Sequence, residues 1–454
     1  MMLYLLWLVV TGFGVGLLCL IGQTQLSKPP KELLNPSPQG FVFGEYRRRF
    51  RKTQYLHKEE NADGHILLAG GTGSGKTSSV LLPSYPRIKC SKLIVDTKKA
   101  EIALATAHLP GKRKIFNPTD PDAWGFDPFF RLRGSENPAQ AAREIAMAII
   151  PEPVNIKDPF WVKATQNLLA GFIIFYYRQG LNFIDIAKLI LLKPLDKHIL
   201  QAYESGDDLV KYFMSKFVGD KVDAPLAGIG MEFSNSLMLF ATDKQVQAAL
   251  TKEKNISPQD LENGYDIFLC LEEDMLEQWM PLSMLTIGLF VQDFKRRPNK
   301  TAKPIAFWLE EFAQLGKLLP VAKGLNTLRS KNVTMVLVVQ SIAQLDLLYG
   351  PAQREVMLDN CAYKVILGAA DAKTQEEFSK LVGTSEVIRT SQSVSYASHT
   401  DQEQRYTISQ HTAEERTIKP HEFATLKDVV VLSPWGNCRA EKIKPIDNRE
   451  FLHI

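Results

Sequence analysis

The stretch His65-Ile66-Leu67-Leu68-Ala69-Gly70-Gly71-Thr72-Gly73-Ser74-Gly75-Lys76-Thr77 runs a short apolar segment directly into Gly70-x-x-x-x-Gly75-Lys76-Thr77. An apolar strand, a glycine-rich turn and a helix starting near Ser78 form the setting in which a phosphate-binding loop works. Gly70, Gly71, Gly73 and Gly75 let the backbone curl with its N–H groups turned inward toward phosphate oxygens. The helix start adds positive partial charge at the same point. In that geometry Lys76 is expected to reach the β- and γ-phosphates of ATP, and the Thr77 hydroxyl to ligate Mg2+. Thr72 and Ser74 complete the loop.

Such a loop needs a carboxylate from a neighbouring strand. Pro304-Ile305-Ala306-Phe307-Trp308-Leu309-Glu310-Glu311-Phe312 supplies an apolar strand ending in paired acids, and acids at the carboxyl end of a buried parallel strand face the ligand crevice. Glu310 is expected on the metal side and Glu311 as the general base that polarises the attacking water. Paired acids after an apolar strand are also common as a simple solvated strand end. Lys92-Leu93-Ile94-Val95-Asp96 ends in an acid near the same edge. Val333 to Val339 runs into Gln340, an amide placed to sense the γ-phosphate or the attacking water. These runs read as fully buried parallel strands and, alternating with helical stretches, predict a doubly wound α/β domain.

Three segments occur in one order and at wide separation: Gly70–Thr77, Leu309-Glu310-Glu311-Phe312-Ala313-Gln314-Leu315-Gly316, and Val339-Gln340-Ser341-Ile342-Ala343-Gln344-Leu345. Together they resemble the type IV coupling proteins, the membrane ATPases of bacterial conjugation and type IV secretion. Val95-Asp96-Thr97-Lys98, Asn117-Pro118 with Asp127-Pro128, Phe160-Trp161 and Lys427 to Leu432 carry the likeness over nearly the whole chain after the apolar N-terminus. The resemblance implies a RecA-like nucleotide domain interrupted by an all-helical domain, a hexameric ring around a channel, and recruitment of a relaxase-bound DNA strand or a protein substrate to the secretion channel. It implies Lys76 and Thr77 as nucleotide ligands, Glu311 as catalytic acid and Gln340 as sensor. It also implies Arg329, in Leu328-Arg329-Ser330-Lys331, as an arginine reaching a neighbouring subunit's nucleotide. The family pattern has Asp where Glu310 stands, one methylene shorter.

Between Asn137 and Asn263 helical periodicity dominates: Ala139 to Ile150, Phe160 to Tyr177, Phe183 to Leu192 and Pro225 to Leu250 each read as amphipathic or buried helices. Leu168 to Tyr177 is apolar but too short to span a membrane. Phe160, Trp161, Tyr176 and Tyr177 read as core aromatics rather than base-stacking platforms. Asp266 to Leu271 marks the return to the α/β domain. Residues 384–417, rich in Ser, Thr, Gln and His, read as a mobile excursion, with one long hairpin as an option, and carry no evident chemistry.

No charged side chain occurs from Met1 to Ser27, and Leu3 to Ile21 is almost continuously apolar, long enough for a membrane helix. No basic residues precede the run and no small-residue cleavage site follows it, which separates a retained anchor from a signal peptide. Lys28, Lys31, Arg47, Arg48, Arg49, Arg51 and Lys52 follow; the positive-inside rule then puts the bulk of the chain in the cytoplasm, anchored in the inner membrane by a single span. Pro29, Pro30, Pro36 and Pro38 make the next segment read as an extended linker. The expected partition is therefore an anchor at 1–27, a basic linker at 28–62, a nucleotide domain at 63–136 and 264–454, and an all-α domain at 137–263.

The 454 residues are 45% hydrophobic and 23% charged, with a net charge of +4, which decides nothing about a nucleic-acid partner because a basic groove can be balanced elsewhere. Cys19, Cys90, Cys270, Cys361 and Cys438 lie far apart with no Cys-x-x-Cys pair and read as small apolar residues in a reducing compartment. Three functions fit the sequence: a translocase feeding DNA or nucleoprotein to a secretion machine, a DNA pump of the septal or packaging kind, and a membrane adaptor that binds nucleotide without hydrolysing it.

Overall fold

Strands with no polar face persist only between two covering layers, and the central sheet is built that way. The computed structural model describes residue 26 and residues 28–152, 160–219, 223–396 and 404–444; the N-terminal apolar run lies outside them. Among the described residues the main sheet has nine strands. In spatial order they are β16 (Gly436–Ala440), β15 (Val429–Ser433), β12 (Tyr363–Ile366), β4 (Ile66–Ala69), β11 (Val333–Val339), β10 (Ile305–Leu309), β5 (Ser91–Asp96), β9 (Tyr265–Cys270) and β6 (Lys112–Phe116). From β12 to β6 every pairing is parallel, while β15 and β16 close the other edge antiparallel. The short strands β7 (Gly125–Phe126) and β8 (Asn255–Ile256) pair with each other where the helical insertion leaves and rejoins the sheet.

Successive side chains of a strand point to opposite faces, and each face has its own core. Leu67, Leu93, Val95, Phe307, Leu309, Met335 and Leu337 pack toward the helices Met280–Phe294 and Leu319–Leu328. Ile66, Leu68, Ile94, Trp308, Val336 and Val338 pack on the opposite side, with Val80, Leu81 and Tyr85 of the segment after the phosphate loop.

The second face is completed by the segment the sequence reads as an extended linker. Residues 34–59 instead form a three-stranded antiparallel sheet, β1 (Leu34–Asn35), β3 (Gln54–Glu59) and β2 (Gly40–Tyr46). Phe41 lies 6.3 Å from the fully buried Trp308 ring, and Phe43 lies 5.8 Å from Tyr363. The prolines precede β2 rather than interrupting it, and the arginine cluster is the exposed turn between β2 and β3.

The inserted helices agree with the periodicity at Pro138–Ile149, Phe160–Tyr177 and Phe183–Leu192. The predicted helix at 225–250 is two, Asp223–Thr242 and Lys244–Leu250, because the Asp243 carboxylate accepts from the Gln245 and Val246 amides and starts a new helix. Leu195–Tyr203 and Asp208–Met214 are additional short helices. Among the described residues no helix is long and apolar enough to cross a membrane. The polar excursion is a single hairpin of β13 (Thr384–Tyr396) and β14 (Gln404–Arg416), paired from Thr384–Arg416 to Tyr396–Gln404.

His65, the residue before β4, ties this architecture together. Its Nε2 lies 2.7 Å from the Leu325 carbonyl, and its Nδ1 accepts from the Met335 amide at 3.1 Å. Those partners require the neutral ring with the proton on Nε2, and burial pushes its pKa down to about 4. The unfolded histidine takes a proton below about 6.5, whereas the folded one resists until about 4. The associated stability is therefore complete above the unfolded value and lost as pH falls through this window, by roughly 3 kcal/mol. Urea unfolding of the wild type and His65→Gln between pH 7 and 4 checks this: the amide can both donate and accept, and the part of the acid-induced loss owed to His65 should vanish.

Candidate active site

The sheet order decides which loops meet. β11 lies between β4 and β10, so three adjacent strands deliver Gly70, Gln340 and Glu310 to one carboxyl edge. Gly70 N–H donates to the Val339 carbonyl at 3.1 Å, locking the loop's first residue to the end of β11. Gly75 has φ +96°, a left-handed conformation that side chains rarely adopt, so this turn needs glycine. The helix beyond opens with π-type hydrogen bonding over Lys76–Leu81, a widened turn often found at functional sites.

Lys76 is buried, and its Nζ donates to the Gly70 carbonyl at 2.7 Å and the Gly71 carbonyl at 3.2 Å. Burial lowers its pKa, opposed by Glu311. The Thr77 hydroxyl donates to Glu310 Oε1 at 2.7 Å. Glu310 Oε2 is buried without a hydrogen-bond partner among the described residues. Desolvation is the main reason that its pKa rises to about 7, countered by the Thr77 bond and reinforced by Asp96. Asp96 is itself raised to about 6 by burial, while its Oδ2 accepts from the Ala103 amide at 2.9 Å. A hydroxyl beside a carboxylate with an unused buried oxygen is a hard-oxygen set that suits a divalent cation such as Mg2+.

Glu311 has φ +44° and ψ +43°, a left-handed conformation that is rare outside glycine and asparagine and concentrates at functional sites. Its Oε2 accepts from Gln340 Nε2 at 2.8 Å, and its Oε1 lies 3.7 Å from Lys98 Nζ. The Thr72 hydroxyl donates to Gln340 Oε1 at 3.4 Å. Gln340 thereby spans the gap between the phosphate loop and the second acid.

The structure thus brings Gly70–Thr77, Glu310, Glu311 and Gln340 together. Arg329 stands apart, at the opposite edge of the sheet just before β11. Its guanidinium lies 3.7 Å from Asp63 and lines a cavity of about 550 Å3 with Lys300 and Thr334. Two cations at the site carry no role assigned from the sequence, although Lys98 lies in one of the family-like stretches. Lys98 holds Glu311, as above. Lys442 donates to the carbonyls of Ser74 at 3.0 Å, Leu367 at 3.1 Å and Leu426 at 3.4 Å. A trans peptide points its C=O and N–H in opposite directions, so fixing the Ser74 carbonyl also fixes where the Gly75 N–H points. A lone lysine beyond the last strand carries no sequence signal for that task.

Residues 55–438 match the family described as the type IV secretion-system coupling protein DNA-binding domain. The chain belongs to the type IV coupling-protein family. Among curated members of similar sequence, the VirD4 protein of Agrobacterium fabrum is 24% identical over 70% of this chain, and that of Rhizobium rhizogenes 24% over 76%. The conjugal transfer protein TraG of Rhizobium radiobacter is 22% identical over 63%. The chain spans about half the length of these curated coupling proteins, 49%, 53% and 47% respectively. The conjugative coupling protein TrwB shares the fold: its complex with the ATP analogue ADPNP has a TM-score of 0.69 at 21% identity, over 87% of this chain and 89% of that one. Its complex with ADP and Mg2+ has a TM-score of 0.65 at 21% identity, over 85% and 86%.

Thr77→Val removes the hydrogen bond to a buried carboxylate. Urea unfolding at pH 8 should register a loss of about 1–3 kcal/mol, whereas Thr77→Ser, which keeps the hydroxyl, should stay near the wild type.

Proposed function

We propose that this chain is a membrane-anchored P-loop ATPase that recruits DNA, a relaxase–DNA complex or a protein substrate and drives it into a type IV secretion channel. The observation that carries the reading is the convergence at one strand edge of a phosphate loop, a metal-side carboxylate and an amide-clamped second carboxylate. The TrwB structures with ADPNP and with ADP and Mg2+ support ATP and Mg2+ as the ligands. Membership of the coupling-protein family supports the secretion setting and other type IV secretion components as partners.

When bound, magnesium-ATP would supply the scissile phosphoanhydride, and its Mg2+ would offset the charge that develops on the ADP leaving group. Gly70 to Gly75 wrap the phosphates with backbone amides, and Lys76 adds a positive charge at the mouth of the loop. Thr77 and Glu310 hold the metal. Glu311, the general base, takes the proton of the attacking water, and Gln340 and Lys98 keep its carboxylate aimed. Gln340 also links Glu311 to Thr72, so its amide can report whether the loop is filled.

Arg329 acts on a different subunit's nucleotide. The seven residues of β11 separate it from its own loop by roughly 20 Å at about 3.3 Å per residue, so its catalytic use requires a neighbouring copy. That requirement supports a homo-hexameric ring. The uncharged apolar run from Leu3 to Ile21, followed by basic residues, supports a single-pass anchor in the inner membrane with the ATPase domain in the cytoplasm.

Three substitutions in the detergent-solubilised full chain test the motor. Lys76→Ala should abolish nucleotide binding in calorimetry. Glu311→Gln should keep binding and slow single-turnover hydrolysis by about 10²–10⁴-fold. Full turnover in both would overturn the assignment. Lys442→Met should weaken MgATP binding about tenfold, the scale of one charge-assisted hydrogen bond, and an unchanged affinity would remove it from the site.

A further inference from the structure

Glu311 opens a segment that is held along its whole length. Phe312, Leu315 and Leu318 are fully buried. Gly316 between them has φ +86°, and a Cβ there would lie 2.4 Å from the Met280 side chain, so the segment is pressed against the start of the helix Met280–Phe294.

The strand that carries Gln340 returns to this same segment. Gln340 grips the Glu311 carboxylate, and the helix Ile342–Tyr349 follows it directly. The last residue of that helix, Tyr349, is buried. Its ring stacks on Phe312, with centroids 5.9 Å and planes 3° apart. Its hydroxyl accepts from the Leu318 amide at 3.0 Å. Glu311 is therefore held twice, by Gln340 at its carboxylate and by Tyr349 through the backbone that follows it.

From there the segment reaches the helical insertion. Lys317 Nζ donates to the Glu152 carbonyl at 2.6 Å, just beyond the helix Pro138–Ile149. The nearby Ile150 carbonyl accepts from Gln166 Nε2 at 2.7 Å, and Gln166 belongs to the helix Phe160–Tyr177. Carbonyls at a helix end lack partners within the helix and favour cations. The end of the first inserted helix is thus fixed from two sides, by the catalytic segment and by the second inserted helix. A packed segment shifts between discrete arrangements rather than bending smoothly, so a displacement at Lys317 is delivered to Glu311.

We propose that Lys317 and Tyr349 are positioning residues that tie the general base to the helical insertion. A shift of the first inserted helix moves Lys317 and, through residues 312–318, changes the aim of Glu311. A change at the nucleotide travels the opposite way, as linkage between two sites requires. The proposal rests on the ATPase reading and adds its control point: the posture of the insertion sets the rate of hydrolysis.

The test uses the full-length protein in detergent with Mg2+ and the non-hydrolysable analogue ADPNP. Hydrogen exchange of the helix Pro138–Ile149 should change when the analogue binds the wild type. Lys317→Met should still bind the analogue in calorimetry, but the response of that helix should disappear. Single-turnover ATP hydrolysis by this variant should slow about tenfold, the scale of one charged hydrogen bond. Lys317→Arg, which keeps a charged donor, should restore both. Tyr349→Phe keeps the stack on Phe312 and should slow hydrolysis about fivefold, the scale of one neutral hydrogen bond. In a Glu311→Gln background neither substitution should slow the reaction further, because the group they aim is gone. A wild type that binds the analogue with no change in the helix overturns the proposal. So does a Lys317→Met chain whose helix still responds, or one that no longer binds the analogue. A wild type that fails to bind the analogue at all overturns the ATPase reading, and the proposal with it.

Discussion

The hydrogen bond from Thr77 to Glu310 joins two loops that are distant in sequence. It forms only because β4 and β10 flank a single strand and their carboxyl ends nearly coincide. The register sets this: Leu309 pairs with Leu337, and Ala69 with Val339. A one-residue slip would send each strand's side chains to the opposite face, breaking both cores and parting the acid from the hydroxyl. The central strands are therefore specified from both sides, by Trp308 against the N-terminal sheet and by Phe307 against the helices.

Burial gives the site its electrostatic character. Glu310 is raised and Lys76 lowered, both chiefly by desolvation, so a partner of opposite sign favours the charged form of each. The left-handed backbone of Glu311 adds a local conformational cost, and it is what turns neighbouring acids in sequence toward different partners, Glu310 to Thr77 and Glu311 to Gln340. The adjacent pair can therefore divide two tasks although the chain offers them side by side.

Much of this was legible in the chain. Gly75 and Lys76 are dictated by backbone conformation and phosphate chemistry, and Glu310, Glu311 and Gln340 follow from apolar runs that end in polar groups. Other features left weaker traces. In β2 the residues facing both ways are buried, so Phe41 and Phe43 show no clean alternation, while the neighbouring prolines and arginines suggest a linker. Asp243 breaks a helical pattern whose apolar period continues past it. Trp161 looks like core because aromatics normally are; it is instead 45% exposed at the start of the helix Phe160–Tyr177. Lys442 acts through carbonyls, and carbonyls carry no residue identity.

The parallel sheet also bears on how the molecule is made. β4 emerges early from the ribosome, yet its two sheet neighbours, β11 and β12, lie more than half the chain later. Until they are synthesised, the glycine loop has no Val339 carbonyl to hold it and no acid beside it. Contacts so remote in sequence form slowly, and nascent chains with unpaired strand edges are prone to aggregate. A product of interrupted translation would therefore carry the whole phosphate-loop signature but lack the scaffold that makes it a site, leaving it a substrate for chaperones and proteases rather than a competitor for the cell's nucleotide.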